Sequence, residues 1–511
     1  MGSGDREERA LRRIVVLVVA AVLSAACFLP GGLGGDDEEA AAPAATQEGI
    51  WTPCTDEARK IYPRASRNFQ YHCATVDVPK DWARPTGPKI QISLLRARIG
   101  SQKDRIGSLL INPGGPGGSG VDTAVYLTGA LPVEVLRRFD LVGFDPRGVS
   151  RSTPVKCIAD DDLDASFGAE PDPVDQAQFD QITALTRKID EGCATKYGDD
   201  LRLFGTVQAA KDIDAIRQAV GDEKLTYLGY SYGTLLGATY AQLFPKNIRA
   251  MVLDGAVDPT MTSVEASESQ AKGFERAFTN FTAWCKDNGS ECPIGPDARA
   301  AVDEALDKAR ADPIPYDERK ATAGWVFYAI VSALYTQSRW PDLAEAIDDL
   351  RDGKPEGVFD LADAYAERTP GGAYTNLFDA NAAVNCTDDG DPPGLTEVRS
   401  LQSQWRQKYP LFGAPLAVGA LTCSLWKGGR DPVPTGKAEG APTIVVVGTK
   451  GDPATPYEQT PALARMLGVG RVLTWEGEGH TAYPETSCIS AAVNAYLIDL
   501  KVPAEGKTCP A

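Results

Sequence analysis

Residues Leu225 to Leu236 read LTYLGYSYGTLL and place Gly229, Ser231 and Gly233 in a GxSxG pattern. The residues before Ser231 are strand-like and those after it helix-like, the context in which a sharp strand-to-helix turn presents a nucleophile. A serine at the tip of such a turn has strained backbone angles and close neighbours on both sides. The positions two before and two after it must be small, and Gly229 and Gly233 meet that need. The plain alternative is an ordinary glycine-rich turn, against which the partners elsewhere in the chain must be weighed.

Outward from this turn the pattern is one of alternating strands and helices. Val207 to Val220 carries apolar residues at helical spacing and leads into the turn's strand. Upstream, Ile90 to Arg98, Gly107 to Ile111 and Phe139 to Phe144 read as strands, and downstream Met251 to Asp254 supplies another. From about Thr262 to Pro434 amphipathic helices take over: Val264 to Trp284, Asp297 to Ala311, Trp325 to Thr336, Pro341 to Arg351 and Leu395 to Arg406. Strands return at Thr443 to Val447 and Val472 to Trp475, before a terminal helix over Ile489 to Leu500. The expected architecture is α/β: a mostly parallel sheet with helices on both faces, built from 51–261 and 435–511, with a helical cap inserted over 262–434.

The N-terminus reads as an export signal. Ile14 to Ala26 is a short apolar run behind Arg12 and Arg13, ending in small residues, and is too short to span a bilayer comfortably. A signal peptide over 1–26 and a flexible linker over 27–50 are expected. Cys27 resembles a lipoprotein cleavage site, but Ser24 stands where such sites carry Leu, so lipid anchoring at Cys27 and simple release both stay open. The other ten cysteines suit an oxidising compartment, and pairing sequence neighbours is the simplest connectivity: 54 with 73, 157 with 193, 285 with 292, 386 with 423, and 488 with 509. Neither a CxxC pair nor a Cys/His cluster points to zinc. A formal net charge of -18 argues against a nucleic-acid partner. The protein is expected outside the cell or on the outer face of its membrane, as a monomer.

A serine nucleophile needs a base, and the chain has two histidines, His72 and His480. His72 lies upstream of the sheet beside a cysteine and reads as structural. His480 follows a strand in WEGEGHTAYP and is the candidate base. Asp452, on the loop after the buried strand TIVVV, is the candidate carboxylate that orients it, ahead of Glu458, Glu476 and Glu478. Ser231, Asp452 and His480 follow the chain order nucleophile, acid, base. Asn112 to Gly120, NPGGPGGSG, must be a loop whose backbone approaches something closely, and a developing oxyanion is the natural guest. Gly114, Gly115 and Gly117 are its available donors. Gly115 is the first choice, beside the N–H of Tyr232. Arg147, in the turn after Phe144, reads as structural.

Together NPGGPGGSG, GFDPRGVSRS, LGYSYGT, GTKGDPATP and GEGHTAY resemble the proline iminopeptidase and secreted bacterial tripeptidyl aminopeptidase family of α/β-hydrolases, over nearly all of the chain past the leader. The resemblance implies a serine exopeptidase that releases short peptides from free N-termini, needs no cofactor or metal, and uses Ser231, Asp452 and His480. Pro113 stands where the proline iminopeptidase version has histidine, which favours the tripeptidyl branch. An aminopeptidase must recognise an ammonium group. Asn385 to Asp389, NCTDD, resembles a Cys-x-Asp segment of this family's cap, which makes Asp388 the candidate and Asp389 the next. A solvated acidic loop is the alternative there. Two rival functions remain: an esterase or lipase using the same triad, with GWVFYAIVSALY holding an acyl chain, and a catalytically silent binding protein.

Overall fold

The computed structural model describes residues 49–511 apart from 64, 66, 67, 101 and 103. The leader expected over 1–26, Cys27 and nearly all of the linker expected over 27–50 lie outside the described residues. Strands β1 (Thr52–Pro53), β2 (Phe69–Pro79), β3 (Lys89–Ile99), β4 (Gly107–Asn112), β5 (Phe139–Phe144), β6 (Leu225–Tyr230), β7 (Ile248–Asp254), β10 (Ile444–Gly451), β11 (Gly470–Glu478) and β12 (Lys507–Cys509) form one sheet. Its order is β1-β2-β3-β5-β4-β6-β7-β10-β11-β12. From β5 to β12 every neighbour is parallel, and β1, β2 and β3 join antiparallel at one end.

The central strands are short apolar runs because both of their faces are covered. Every residue of β4, β5 and β6 is buried. Leu109 and Ile111 face helices Gly120–Leu127, Val133–Arg138 and Ser487–Asp499, while Leu110 and Tyr227 face Thr206–Ala219, Tyr232–Leu243 and Gln459–Leu467. That is the period-two alternation of a strand between two layers. The strand ends also stay in register. Asn112 lies beside Gly229, Tyr230 beside Asp254, and Val447 beside Asp254. The loops that leave β4, β6, β7, β10 and β11 therefore emerge along one edge, where parallel sheets carry their sites.

The helical segment begins at a reciprocal cap. Glu265 N–H donates to Thr262 Oγ1 at 3.0 Å and Thr262 N–H donates to Glu265 Oε2 at 2.8 Å, which fixes the start of helix Ser263–Asp287. Ala298–Ala311, Ala323–Leu334, Trp340–Arg351, Glu356–Ala366, Leu377–Asp388, Leu395–Lys408 and Gly413–Gly419 follow, with a small hairpin of β8 (Ile314–Tyr316) and β9 (Arg319–Ala321) among them. Their apolar faces meet in a core cluster of their own. Ile158, Leu163 and Phe167 join it, so helix Asp160–Phe167, inside the 51–261 stretch, packs with the cap layer. The five cysteine pairs are those of sequence neighbours, and Cys386–Cys423 ties helix Leu377–Asp388 to the end of the cap. Among the described residues no helix is long and apolar enough to cross a membrane.

Arg147 is 1% exposed and structural, as the sequence leads one to expect. Its Nε and Nη2 donate to the two oxygens of Asp212 at 2.7 and 2.6 Å, and its remaining N–H groups reach the carbonyls of Pro79, Lys80 and Leu203. All five donors of a buried guanidinium are thus used. Arg147→Ala would leave the Asp212 carboxylate buried without its cation, a loss of about 3–5 kcal/mol. A urea unfolding curve of that variant against the parent checks it.

Candidate active site

Ser231 is the turn between β6 and helix Tyr232–Leu243, with φ of 54°. That left-handed backbone is costly for a residue with a Cβ and persists only where the surroundings enforce it. Here they do. Ser231 N–H donates to Asp254 O at 2.9 Å, and its carbonyl accepts from Thr234 N–H at 2.8 Å and Thr234 Oγ1 at 2.6 Å. The two flanking glycines are required by contact. A Cβ on Gly229 would lie 2.3 Å from Gly233 O, and one on Gly233 would lie 2.8 Å from Asn112 O.

His480 and Asp452 meet directly. Nδ1 of His480 lies 2.9 Å from each carboxylate oxygen of Asp452. Asp452 is itself fixed by its own loop: Oδ1 accepts from Ala454 N–H at 2.9 Å and Thr455 N–H at 2.8 Å, and Oδ2 accepts from Thr455 Oγ1 at 3.0 Å. An ionised carboxylate facing Nδ1 places the ring proton there and leaves Nε2 as the acceptor. Nε2 is buried and makes no hydrogen bond among the described residues. The alternative carboxylates are elsewhere engaged or exposed: Glu458 pairs with Lys272, Glu478 accepts from Asn280, and Glu476 is exposed. His72 stands in β2, with β3, β5, β4, β6 and β7 between it and β10.

Asp254 and Gly255 join the serine to the histidine. The Asp254 carbonyl takes the Ser231 N–H, while its carboxylate accepts from Ala482 N–H at 3.0 Å and Tyr483 N–H at 2.7 Å, just past His480. A Cβ on Gly255 would lie 3.1 Å from His480 Cε1. Sequence reading marks Asp254 only as the end of a strand. The available signal is a carboxylate closing a fully apolar run, MVLD, at the same sheet edge as Ser231. Burial pushes its carboxyl from the ordinary 3.8 up to about 7.

The glycine-rich loop lies against the serine turn. A Cβ on Gly114 would stand 2.5 Å from Tyr230 O, 2.8 Å from Ser231 Cβ and 3.0 Å from Tyr232 N. Gly114 has a φ of 97° and spends its own N–H on Asn112 Oδ1 at 3.0 Å. The N–H groups of Gly115 and Tyr232 make no hydrogen bond among the described residues. Two unspent backbone donors beside the serine are what an oxyanion requires.

The cap reaches into this arrangement. His480 N–H donates to Tyr335 O at 2.8 Å, the Tyr335 ring stands edge-on to the imidazole at 5.4 Å, and Thr336 bridges Gly479. Arg276 Nη2 donates to Asp452 O at 3.1 Å and Gln270 Nε2 to Ala454 O at 3.0 Å.

The model of the alpha/beta hydrolase fold family matches residues 107–486. The chain belongs to that family. Within this hydrolase family the chain is 39% identical to "Serine protease Hip1" of Mycobacterium tuberculosis over 91% of its length and 92% of that protein. It is 35% identical to "Carboxylesterase B" of the same species over 91% of each chain. It is 32% identical to "Tripeptidyl aminopeptidase" of Streptomyces lividans over 86% of its length and 83% of that protein. Like them, it is an enzyme of the serine hydrolase kind.

The two carboxylates expected to meet a substrate ammonium lie at the end of a cap helix of this hydrolase, not on a solvated loop. Asp388 is already occupied. Its Oδ1 accepts from Thr206 N–H at 2.9 Å and its Oδ2 from Thr206 Oγ1 at 2.5 Å, which caps helix Thr206–Ala219. Thr206 Oγ1 also lies 2.5 Å from the hydroxyl of Tyr232, beside Ser231. Asp389 Oδ1 accepts from Asp391 N–H at 3.0 Å, but its Oδ2 is buried without a hydrogen bond. Burial raises the Asp388 carboxyl to about 7 and that of Asp389 to about 6.

The raised Asp254 has a consequence with a definite sign. The folded protein holds this proton more tightly than the unfolded chain, so losing it between about pH 4 and pH 7 costs folding stability. Asp254→Asn should therefore lose less unfolding free energy than the parent across that window. Denaturant titrations at pH 4, 5.5 and 7 check it.

Proposed function

We propose that this serine hydrolase is an exported aminopeptidase that releases short peptides, tripeptides foremost, from free N-termini by acyl transfer. The observation that carries the chemistry is the pairing of His480 Nδ1 with Asp452, with Nε2 left free at the sheet edge that holds Ser231. In this reading Ser231 Oγ attacks the scissile carbonyl as His480 Nε2 takes its proton. Asp452 stabilises the imidazolium, and Tyr232 and Gly115 N–H groups receive the oxyanion. His480 then protonates the leaving amine, and a water activated by the same nitrogen resolves the acyl-enzyme.

Two relatives named as a serine protease and a tripeptidyl aminopeptidase support a peptide substrate. The five disulfides support export, with Cys27 as a lipid attachment point if the chain is anchored. Of the two carboxylates proposed for the ammonium group, Asp389 has the oxygen to spare. A buried acceptor without a donor is the vacancy that a ligand N–H⁺ fills. A relative named as a carboxylesterase supports a second reading, hydrolysis of small esters by the same groups.

The test compares a fluorogenic Ala-Pro-Ala amide with a free N-terminus, its N-acylated twin and a nitrophenyl ester. The free peptide should be turned over and the acylated twin should not. Ser231→Ala should lower kcat by about 10⁴-fold or more. Asp389→Asn should raise KM for the free peptide and narrow its advantage over the twin. Equal cleavage of both peptides would sink the exopeptidase claim, and ester turnover alone would favour the second reading. Thr455→Val removes one hydrogen bond to Asp452, worth about 1 kcal/mol. It should lower kcat about fivefold with KM little changed, read from the same assay.

A further inference from the structure

The cap layer holds a partly open cavity of 220 Å³ between helices Asp160–Phe167 and Gln176–Tyr197 on one side and Ala323–Leu334, Leu377–Asp388 and Gly413–Gly419 on the other. Aliphatic side chains make most of its wall, among them Leu163, Ile182 and Leu416, with Phe167, Phe327 and Phe378 between them. Packed protein interiors leave few voids larger than a water molecule, and an apolar hollow well above that size with a few polar groups in its wall has the character of a ligand pocket. Glu170 is the one ionisable acid or base at its wall, and Arg310 already pairs with it at 3.1 Å. The stretch GWVFYAIVSALY thus presents Phe327, Tyr328 and Val331 to a hollow and does not simply fill the cap core.

Two residues of the cavity's wall contact groups that border the candidate site. Asn381, in its wall, donates from Nδ2 to Pro116 O of the glycine-rich loop at 3.1 Å, and a Cβ on Gly117 would lie 2.5 Å from Leu377 O of the same helix. On the other side Phe274 stands 5.8 Å from the ring of Tyr335, which covers His480. The polar part of the wall is ordered. Asn385 Nδ2 donates to Asn381 Oδ1 at 3.0 Å, and the side-chain oxygen Oδ1 of Asn385 has no hydrogen bond among the described residues. Asn381 and Asn385 are one helical turn apart on a single face, and Asp389 follows four residues later.

We infer that this cavity is a specificity pocket for one branched or aromatic apolar side chain of the peptide that acylates Ser231, with the side-chain Oδ1 of Asn385 accepting a backbone N–H of that peptide. The inference rests on the aminopeptidase reading and adds to it the class of side chain selected. A charged side chain finds no free counter-charge in the wall. A small one leaves the apolar lining unfilled, so the hydrophobic gain goes to Leu, Phe and their like.

The experiment uses the full exported enzyme and a set of free-N-terminal tripeptide amides in which Ala, Leu or Phe stands at each position in turn. At one position, Leu or Phe should exceed Ala in kcat/KM by about 10–200-fold, the range expected of apolar pockets. Leu416→Trp and, separately, Thr422→Leu add bulk to the cavity wall. Each should erase that preference while Ala peptides stay within about threefold of the parent, with an unchanged melting curve showing that the fold is kept. Asn385→Ala should raise KM for all members of the set without changing the order of preference. Peptide turnover with no preferred position, or a preference that survives both fillings, would overturn the pocket and leave the aminopeptidase reading standing. Chain-length preference among nitrophenyl esters that the fillings erase, without any among peptides, would give the cavity to an acyl chain and overturn the inference. No peptide turnover by the parent would overturn the function and the pocket together.

Discussion

The imidazole of His480 is held at one nitrogen by both oxygens of Asp452, and the geometry of the site follows from keeping that pair in place. Neither partner lies in a strand. Asp452 follows β10 and His480 follows β11, and the parallel pairing of these strands brings the two loops out side by side. Each loop then needs its own restraints. Asp452 draws on Ala454 and Thr455 within the loop, and His480 on the Tyr335 carbonyl and the contacts around Asp254. A buried hydrogen bond of this kind is strong because it is dry, and dry groups are costly when misplaced. The density of backbone donors around Asp452 and Asp254 meets that cost.

The central sheet and the three residues at its edge were legible in the sequence because their signals are local. β5 appears over the very residues 139–144 that its apolar run marks, and GxSxG, the loop after TIVVV and GEGH each stand within a few residues of the strand that positions them. Helix Leu377–Asp388 was not legible. Ten of its twelve residues are buried, polar Asp379, Asn381, Thr387 and Asp388 among them, so no apolar stripe stands out for a helical period to be read. The alternative of a solvated acidic loop at NCTDD, set beside the reading of Asp388 as an ammonium partner, failed for the same reason. Asp388 proved to be a cap for a helix that starts 182 residues earlier, a partnership that no spacing rule reveals. Asp254 was missed in the same way, since its donors come from residues more than 200 positions downstream.

Three carboxyls held near neutrality stand around the site: Asp254 and Asp388 at about 7 and Asp389 at about 6. Burial is the first cause in each case, and none is paired with an Arg or Lys side chain. Asp254 and Asp388 accept hydrogen bonds that hold backbone segments beside Ser231 or His480, so they act as struts. Asp389 differs by its unfilled oxygen. Asymmetry between neighbouring acids with similar burial separates a group spent on architecture from one left for a guest.

The bonds from His480 to the Tyr335 carbonyl and from Arg276 to the Asp452 carbonyl make the cap part of the candidate site. A cap of this kind is not a module that can be exchanged whole between relatives. Any transplant must bring a carbonyl and a guanidinium to the same two points or leave the acid and base loops slack. Diversification is then channelled to the surfaces that carry no such bond. Helix Gly413–Gly419 and the far end of Ala323–Leu334 can vary in bulk while the loops of Asp452 and His480 keep their supports.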